Sequence, residues 1–486
     1  MSKYSKVKNL YDFDPTLFTK KVDITGIAIN SNQVTKGNLF IALPGMKSHG
    51  SNFLQQAIDN GATAVLTDLK IQCPIPIFFH PRPREIVGLI AAWFFDIPFN
   101  HLLAVGITGT NGKTTTADLI KQLWDFSGIE SGLIGTLGVK IKQSISTGVR
   151  TTPEATELQN IASYMVDTGV KNLVMEVSSH ALDQYRIRGA KFKVVGFSNL
   201  TQDHLDYHKN MDNYFSTKAK LFTKEYADLG VINIDDAYGK NLYDLIKIPK
   251  LAVSKMDHGS DWSYSDIVTT EDGYKVEIKS LKGNKISGIT NLRGEFNLDN
   301  LLLATAISSI TGVSDSEICN SLINLRSVAG RFEPVTVGQN FSAYIDYAHT
   351  PDAVTRVLKT ARSITKGRVI AVLGCGGDRD FKKRPLMGNA LHSGSDLPIF
   401  TSDNPRSEPA SKILQEMMAD LDLNDKGITI ENRGEAIEFA CQSAEESDCV
   451  LILGKGHEVG QEINGVVHPF DDRQVLIKSI QKVMQK

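Results

Sequence analysis

The chain is poor in cysteine: five in 486 residues, at Cys73, Cys319, Cys375, Cys441 and Cys449. Their odd number and scattered positions offer neither paired metal-ligand spacing nor a disulfide framework, and a reducing cytoplasm is the compartment they fit. Cys375 sits in a glycine turn, but no base accompanies it in sequence to make it a nucleophile. A dominant charge is also missing, since 53 Lys plus Arg face 55 Asp plus Glu, leaving a formal net charge of -2. That balance gives no overall attraction to a polyanion, so nucleic acid is not an expected partner. No apolar run approaches the roughly 20 residues that span a bilayer. The basic start, Met1 to Leu10, has no apolar segment behind it. Ile86 to Phe99 is broken by Asp96 and Pro98 and reads as a helix packed on a domain. Membrane insertion is therefore not expected. Repeats and long low-complexity linkers are absent as well.

What is present is an α/β pattern too long for one core, with two to four domains as the expectation. In residues 1–100, Ile24 to Ile29, Asn38 to Leu43 and Ala64 to Thr67 read as short strands and Phe53 to Asn60 as a helix. Pro74, Pro76, Pro81 and Pro83 then punctuate the chain. Residues 101–332 alternate buried strands with helices, which points to a largely parallel sheet. Tyr264 to Ile289 alternates more and reads as a hairpin insertion. Leu298 to Ile310 reads as a buried helix with cap signals at Asn297 and Asp299. Residues 333–486 carry the apolar runs Val369 to Leu373 and Cys449 to Leu453, each followed by glycine, and Pro398 to Ser402 before a polar turn. Such a doubly wound sheet binds ligands at the carboxyl ends of its strands.

One motif narrows function more than the rest. Ala104 to Thr115 reads as a strand, a glycine-bearing turn (Gly109-Thr110-Asn111-Gly112) and a helix start at Lys113-Thr114-Thr115. Such a turn points backbone N–H groups at phosphate oxygens, and the helix N-terminus adds partial positive charge. Lys113 can reach the outer phosphates and the Thr114 or Thr115 hydroxyl can meet Mg²⁺. Ile107 stands where the usual motif has glycine, so this is a variant.

Glu176 ends the apolar run Asn172 to Val177 and is suited either to Mg²⁺, which prefers oxygen ligands, or to a satisfied strand-end acid. His204, in Thr201-Gln202-Asp203-His204-Leu205-Asp206-Tyr207-His208, is a second candidate near metal or phosphate, although the same row also reads as a solvated turn. Lys218 has only a bland local reading: an ammonium has no acceptor and would repel the ion. In the third stretch, Gly374 to Asp380, Asp403-Asn404-Pro405-Arg406 and Gly454 to Glu458 each follow a strand. Converging on one crevice, they would offer Arg for a carboxylate and Asp or Glu for an ammonium. Salt-bridged turns are the alternative.

Together these separated motifs and the three-unit layout resemble the bacterial Mur ligases of peptidoglycan precursor synthesis, and among them the branch that adds diaminopimelate. The resemblance implies an α/β, three-domain Mur ligase architecture. Residues 1–100 would be the N-terminal UDP-substrate-binding domain, 101–332 the central P-loop ATPase, and 333–486 a C-terminal Rossmann-like domain that brings the amino acid. It implies ATP as co-substrate, Mg²⁺, and the substrates UDP-N-acetylmuramoyl-L-alanyl-D-glutamate and meso-diaminopimelate. By the same resemblance, Gly109 to Thr115 meet ATP and magnesium, with Lys113, Glu176, His204 and Lys218 catalytic. Lys218 is expected as a carbamate (N6-carboxylysine) and, with Thr114, Thr115, Glu176 and His204, stands at the metal. Asn297, Asn300, Arg331, Asp346 and His349 fall at nucleotide-contacting positions. Ser31, Thr151, Thr152, Ser178, Gln184 and Arg186 would meet the UDP substrate. Asn32, after Ser31, stands where many relatives carry Arg. Arg379, Asp403, Asn404, Pro405, Arg406, Gly454 and Glu458 would form the diaminopimelate pocket, with Arg406 on the carboxylate of the distal stereocentre.

Overall fold

The computed structural model describes residues 6–45, 48–142, 144–146, 150–270, 273–421 and 426–485. Met1 to Ser5 of the basic start lie outside them. Among the described residues, three main sheets follow one another along the chain. The first has four parallel strands in the order Gly26–Ala28, Asn38–Ala42, Ala64–Thr67 and Ile77–Phe79. The single strand expected over Ile24 to Ile29 is divided: Asp23–Ile24 pairs antiparallel with Lys8–Asn9, and only Gly26–Ala28 joins the larger sheet. Ile77–Phe79 forms within the proline-punctuated stretch because it is an edge strand. Pro76 contributes only its carbonyl, accepting from the Val65 N–H at 2.9 Å.

Among the described residues the central sheet has eleven strands. Leu103–Thr108 lies in its middle, parallel to Asn172–Glu176 on one side and to Phe192–Phe197 on the other. Alternate side chains serve two cores. Val105, Ile107 and Val174 pack with Leu119, Trp124 and Leu301 on one face, while Ala104, Met175 and Phe197 pack with Leu158 and Met165 on the other. Burial on both faces explains why these strands read as continuous apolar runs. Tyr274–Ser280 and Lys285–Thr290 form an antiparallel hairpin that extends the sheet edge.

The helix expected to be capped by Asn297 and Asp299 in fact runs Glu295–Ile310, so both residues lie inside it. Gly294, at φ 91°, holds the cap position without a side-chain hydrogen bond. Asn297 instead donates to the Arg293 carbonyl at 2.7 Å, one turn back. Burial among core residues overrides its usual preference for a helix terminus.

The third sheet has six strands in the order Glu333–Pro334, Ser342–Asp346, Cys449–Leu453, Val369–Leu373, Leu397–Phe400 and Ile428–Thr429. All but the first run parallel to their neighbours. Ser342–Asp346, which no apolar run announced, takes the place beside Cys449–Leu453. The carboxyl ends of these strands carry the loops that face the central sheet. No described helix is long and apolar enough to cross a membrane.

Candidate active site

The loop between the Leu103–Thr108 strand and the Lys113–Phe126 helix is folded tightly against its neighbours. Gly109 and Gly112 take φ values of 150° and 83°, and a Cβ at Gly112 would overlap the Asn300 side chain. Asn199 accepts from the Asn111 N–H at 3.0 Å, and Ser198 donates to the Asn111 carbonyl at 2.6 Å. The first N–H groups of the helix have no intrahelical acceptor and no side-chain cap, which is the arrangement an anion needs.

Lys113 bends back over the loop, donating to the carbonyls of Gly109 at 3.0 Å and Thr110 at 2.8 Å. Desolvation lowers its pKa, against the attraction of Glu176 and Asp203. Lys218 sits close by, 2% exposed, donating to the Gly109 carbonyl at 2.8 Å and lying 4.7 Å from the centre of the Tyr214 ring. Its pKa falls well below the usual lysine value, first through desolvation and then through Lys113. Among the described residues no carboxylate reaches it within ion-pair distance.

The strand pairing sets Glu176 opposite Ile107, at the mouth of the phosphate loop. Glu176 is 0% exposed and accepts from the Thr114 hydroxyl at 2.9 Å, the Thr136 N–H at 2.8 Å and the Thr136 hydroxyl at 3.2 Å. Carboxylate and hydroxyl oxygens beside a phosphate loop suit a hard cation such as Mg²⁺. No group of three or more His, Cys, Asp or Glu among the described residues has metal-binding geometry. Any further ligands would have to come from elsewhere. His204, at φ 54°, lines the same cavity with its Nε2 3.3 Å from Asp203, and desolvation lowers its pKa to about 3. Burial would raise the pKa of Asp203, yet His204, His349 and Lys383 outweigh it and hold the carboxyl well below the ordinary range.

The third domain reaches into this cavity of about 310 Å³ through Asp346, Tyr347 and His349, beside Arg331 at the end of the central unit. Arg331 donates to the Thr114 hydroxyl at 3.3 Å with its guanidinium 4.5 Å from the Tyr347 ring. Asp346 accepts from the N–H groups of Phe332 and Ala348, both at 2.7 Å, and burial pushes its pKa up to about 6. Asn300 lines the cavity, while Asn297 bonds Asn300 from behind at 3.2 Å.

Thr151, Thr152, Ser178, Gln184 and Arg186 form one connected group. Thr151 lies 3.1 Å from the Thr136 hydroxyl, and Thr152 donates to the Glu176 carbonyl at 2.9 Å. Thr152 accepts from the Ser178 N–H at 3.1 Å, and Arg186 donates to both the Thr152 carbonyl and Gln184. Ser31 is not brought to them: buried in the first domain, it bonds Gln56 at 2.7 Å and accepts from Asn60 through its carbonyl.

A second cavity, of about 170 Å³, gathers Arg379, Asp403, Asn404, Arg406, Gly454 and Glu458. Pro405 supports it from behind, its carbonyl so close to Gly377 that a side chain there would overlap it. Asn404 donates to Glu458 at 2.9 Å and accepts from Lys455 at 3.0 Å. Burial raises the Asp403 pKa against the pull of Arg433 and Lys455. Arg406, at φ 52°, donates to the Gly377 carbonyl at 2.6 Å and lies 3.4 Å from Glu462. Arg384 is buried between Glu408 at 2.7 Å and Glu416 at 2.5 Å, so it ties the glycine turn to the loop after Arg406. Cys375 lines this cavity, but burial pushes its thiol up to about 12 and its neighbour is the Met387 sulfur.

Sequence reading passed over several of these groups. Asp203 and Tyr347 lay inside motifs singled out for their neighbours, and their signal was adjacency to His204 and His349. Thr136, Lys383 and Arg384 carried no pattern of their own.

Comparison with known proteins is consistent along the chain. Residues 107–308 match the Mur ligase middle domain, 330–456 the Mur ligase glutamate ligase domain, and 23–88 the Mur ligase family catalytic domain. The UDP-N-acetylmuramoyl-L-alanyl-D-glutamate–2,6-diaminopimelate ligase of Aquifex aeolicus is 42% identical over 453 residues, covering 93% of each chain. The same-named ligase of Geobacillus thermodenitrificans is 41% identical over 461 residues, covering 93% of this chain and 94% of that one. A solved structure of a ligase of that name superposes with a TM-score of 0.70 at 31% identity, covering 98% of this chain and 99% of that one.

Proposed function

The chain belongs to the Mur ligase family, and from that premise we infer that it joins meso-diaminopimelate to the D-glutamate γ-carboxylate of UDP-N-acetylmuramoyl-L-alanyl-D-glutamate, at the expense of ATP. One observation carries the reading in physical terms. The phosphate-loop cavity and the arginine-lined cavity share a wall, so a phosphorylated carboxylate on one side can meet an amine on the other.

In this reading Gly109 to Thr115 cradle the ATP phosphates, and Lys113 leaves its loop carbonyls to stabilise charge on the transferring phosphoryl oxygens. Asn300 and Arg331 hold the nucleotide; Asn297 and Asp346 orient them through the hydrogen bonds described. Thr114, Thr115, Glu176 and His204 would hold Mg²⁺, which when bound would supply neutralising charge at the phosphates. As a carbamate, Lys218 would add two oxygens to those of Thr114, Thr115 and Glu176. A desolvated amine that stays neutral is the form that attacks CO₂, and its surroundings favour neutrality. Thr151, Thr152, Ser178, Gln184 and Arg186 position the peptide end of the nucleotide substrate near Glu176, while Ser31 meets its far end in the first domain. Arg406 and Arg379 grip the carboxylates of the amino acid, and Asp403, Asn404 and Glu458 hold its ammonium. The γ-carboxylate takes the γ-phosphoryl group, the amine attacks the acyl phosphate, and phosphate leaves as the amide forms. Excluding water between the domains protects the acyl phosphate from hydrolysis. Free thiols at all five cysteines fit a cytoplasmic setting.

A product assay tests this with meso-diaminopimelate and L-lysine offered separately. ADP and a new amide are expected only when UDP-muramoyl dipeptide and diaminopimelate are both present; steady ADP release without an acceptor would refute the ligase reading. For Lys218, intact-protein mass at neutral pH should show bound CO₂. Lys218→Ala should lose most turnover and regain part of it with a short added carboxylate. A fully active protein with unmodified Lys218 would contradict the carbamate.

A further inference from the structure

Amide formation requires a group that takes a proton from the attacking amine. Four residues wall both cavities: Asp203, His204, Tyr347 and His349. Three of them are already engaged. Asp203 pairs with His204 at 3.3 Å and Lys383 at 3.8 Å, His204 stands with the metal ligands, and the Tyr347 hydroxyl donates to Glu458 at 3.3 Å.

His349, which the family resemblance sets at a nucleotide-contacting position, has only one side of its ring bonded to protein. Its Nδ1 lies 2.8 Å from the Tyr347 carbonyl, and because a carbonyl only accepts, Nδ1 carries the proton. The other ring nitrogen, Nε2, then presents a lone pair, and no hydrogen bond to it is made among the described residues. His349 follows the Ser342–Asp346 strand, so it belongs to the domain that carries the arginine loops, yet it faces the phosphate-loop cavity. Desolvation keeps the ring neutral; Asp203 favours the protonated ring, and Lys383 and Arg331 oppose it.

We propose that His349 is the general base of the transfer step, accepting at Nε2 the proton of the amine nitrogen that attacks the acyl phosphate. The proposal rests on the ligase reading above. The amine lone pair bonds the acyl carbon, and the C–O bond to phosphate breaks with its electron pair remaining on phosphate. The proton from nitrogen passes to Nε2, giving an imidazolium beside the Asp203 carboxylate, which then releases the proton to water. A base held in one tautomer by a backbone bond needs no rearrangement before it acts.

The test separates the two half-reactions in the full-length enzyme with Mg²⁺-ATP and the UDP-muramoyl dipeptide. His349→Gln is assayed at saturating ATP, because the family resemblance also sets this residue against the nucleotide, and any loss of acyl phosphate, read by borohydride trapping as the alcohol, should be far smaller than the loss of amide. Amide formation with meso-diaminopimelate should fall by about 10²-fold or more. Added imidazole should restore part of amide formation to His349→Ala. Retained acyl phosphate also shows that the variant is folded. Undiminished amide formation, or loss of acyl phosphate in step with the amide, overturns the proposal. Failure of the wild-type enzyme to form acyl phosphate overturns the ligase reading itself.

Discussion

In the phosphate-loop cavity, Lys113 and Lys218 are bonded to carbonyl oxygens, whereas in and beneath the arginine-lined cavity most cations already have carboxylate partners, Arg379 being the exception among the described residues. Arg384 has Glu408 and Glu416, Arg406 has Glu462, Lys455 has Glu458, and Arg433 has Asp472. The difference suits the ligands proposed for the two cavities. A nucleoside triphosphate brings several negative charges, so cations left without counter-ions gain the most when it arrives. A zwitterionic amino acid brings both signs and can only exchange partners within a network that is neutral beforehand. One cavity stores affinity as desolvated charge; the other stores shape as internal ion pairs.

The largest effect that would sharpen this contrast lies at Lys113. Lys113→Met should lower turnover on the order of 10²–10³-fold, as loss of a preorganised charge at a transferring group does. Unfolding free energy should hold or rise, because the cation removed has no carboxylate bonded to it. A marked loss of stability in urea unfolding would mean that the cavity is not charge-strained. Asp472→Asn probes the opposite case. Arg433 and Asp472 are fully buried and doubly bonded at 2.7 and 2.6 Å. Removing one charge should cost about 3–5 kcal/mol of stability. Wild-type stability in that variant would break the comparison.

Arg406→Ala should come next, lowering kcat/KM for meso-diaminopimelate by the equivalent of about 2–5 kcal/mol. L-lysine, without the distal carboxylate, should be used no worse than before. Equal losses for both amines would show that Arg406 shapes the loop instead of reading the substrate. A pH series then gives a difference of sign. Glu408 is held at about 2, first by its Arg384 hydrogen bonds and then by the Asp378 N–H. Its contribution is full above its ordinary value of 4.5 and is lost as pH falls toward 2; Glu408→Gln should abolish that acid-side slope. Unmodified Lys218, lowered well below its ordinary 10.5, works the other way. The unfolded chain binds the extra proton, so stability rises with pH through the alkaline range until about 10.5. Lys218→Met should flatten that rise in urea titrations freed of CO₂.

The same contrast explains what could be read from sequence. The phosphate loop is contiguous, and Gly109 to Thr115 announce themselves because turn, charge and helix start must be adjacent in the chain. Glu176 was legible as a strand-end acid, since a parallel neighbour puts strand ends together. The arginine-lined cavity is assembled from loops far apart in sequence, so its residues were visible only as three turns that could converge. The pairs beneath it gave no signal at all: Arg384 and Glu408 are 24 residues apart, and Arg433 and Asp472 are 39. Lys218 was bland on its helix because burial, not sequence, makes it unusual. The cap misread at Asn297 has the same cause, for a polar residue inside a buried helix looks like a terminus until its packing is known.

The smallest expected effect is at Cys375, the one residue of the arginine-lined cavity that sequence could have mistaken for a nucleophile. Its thiol is buried, pushed up to about 12 by desolvation, and in contact with the Met387 sulfur at 3.6 Å. A group so far from its thiolate form neither attacks nor titrates near neutrality. Cys375→Ala should therefore leave kcat and both KM values within about twofold, with a stability loss of about 1 kcal/mol for the missing sulfur. Iodoacetamide should label the native protein at this position far more slowly than at the partly exposed Cys73. Rapid labelling of Cys375 that diaminopimelate slows, accompanied by inactivation, would instead give this cavity a reactive group of its own. It would then be no longer a neutral, pre-paired frame but a chemically poised site like its neighbour.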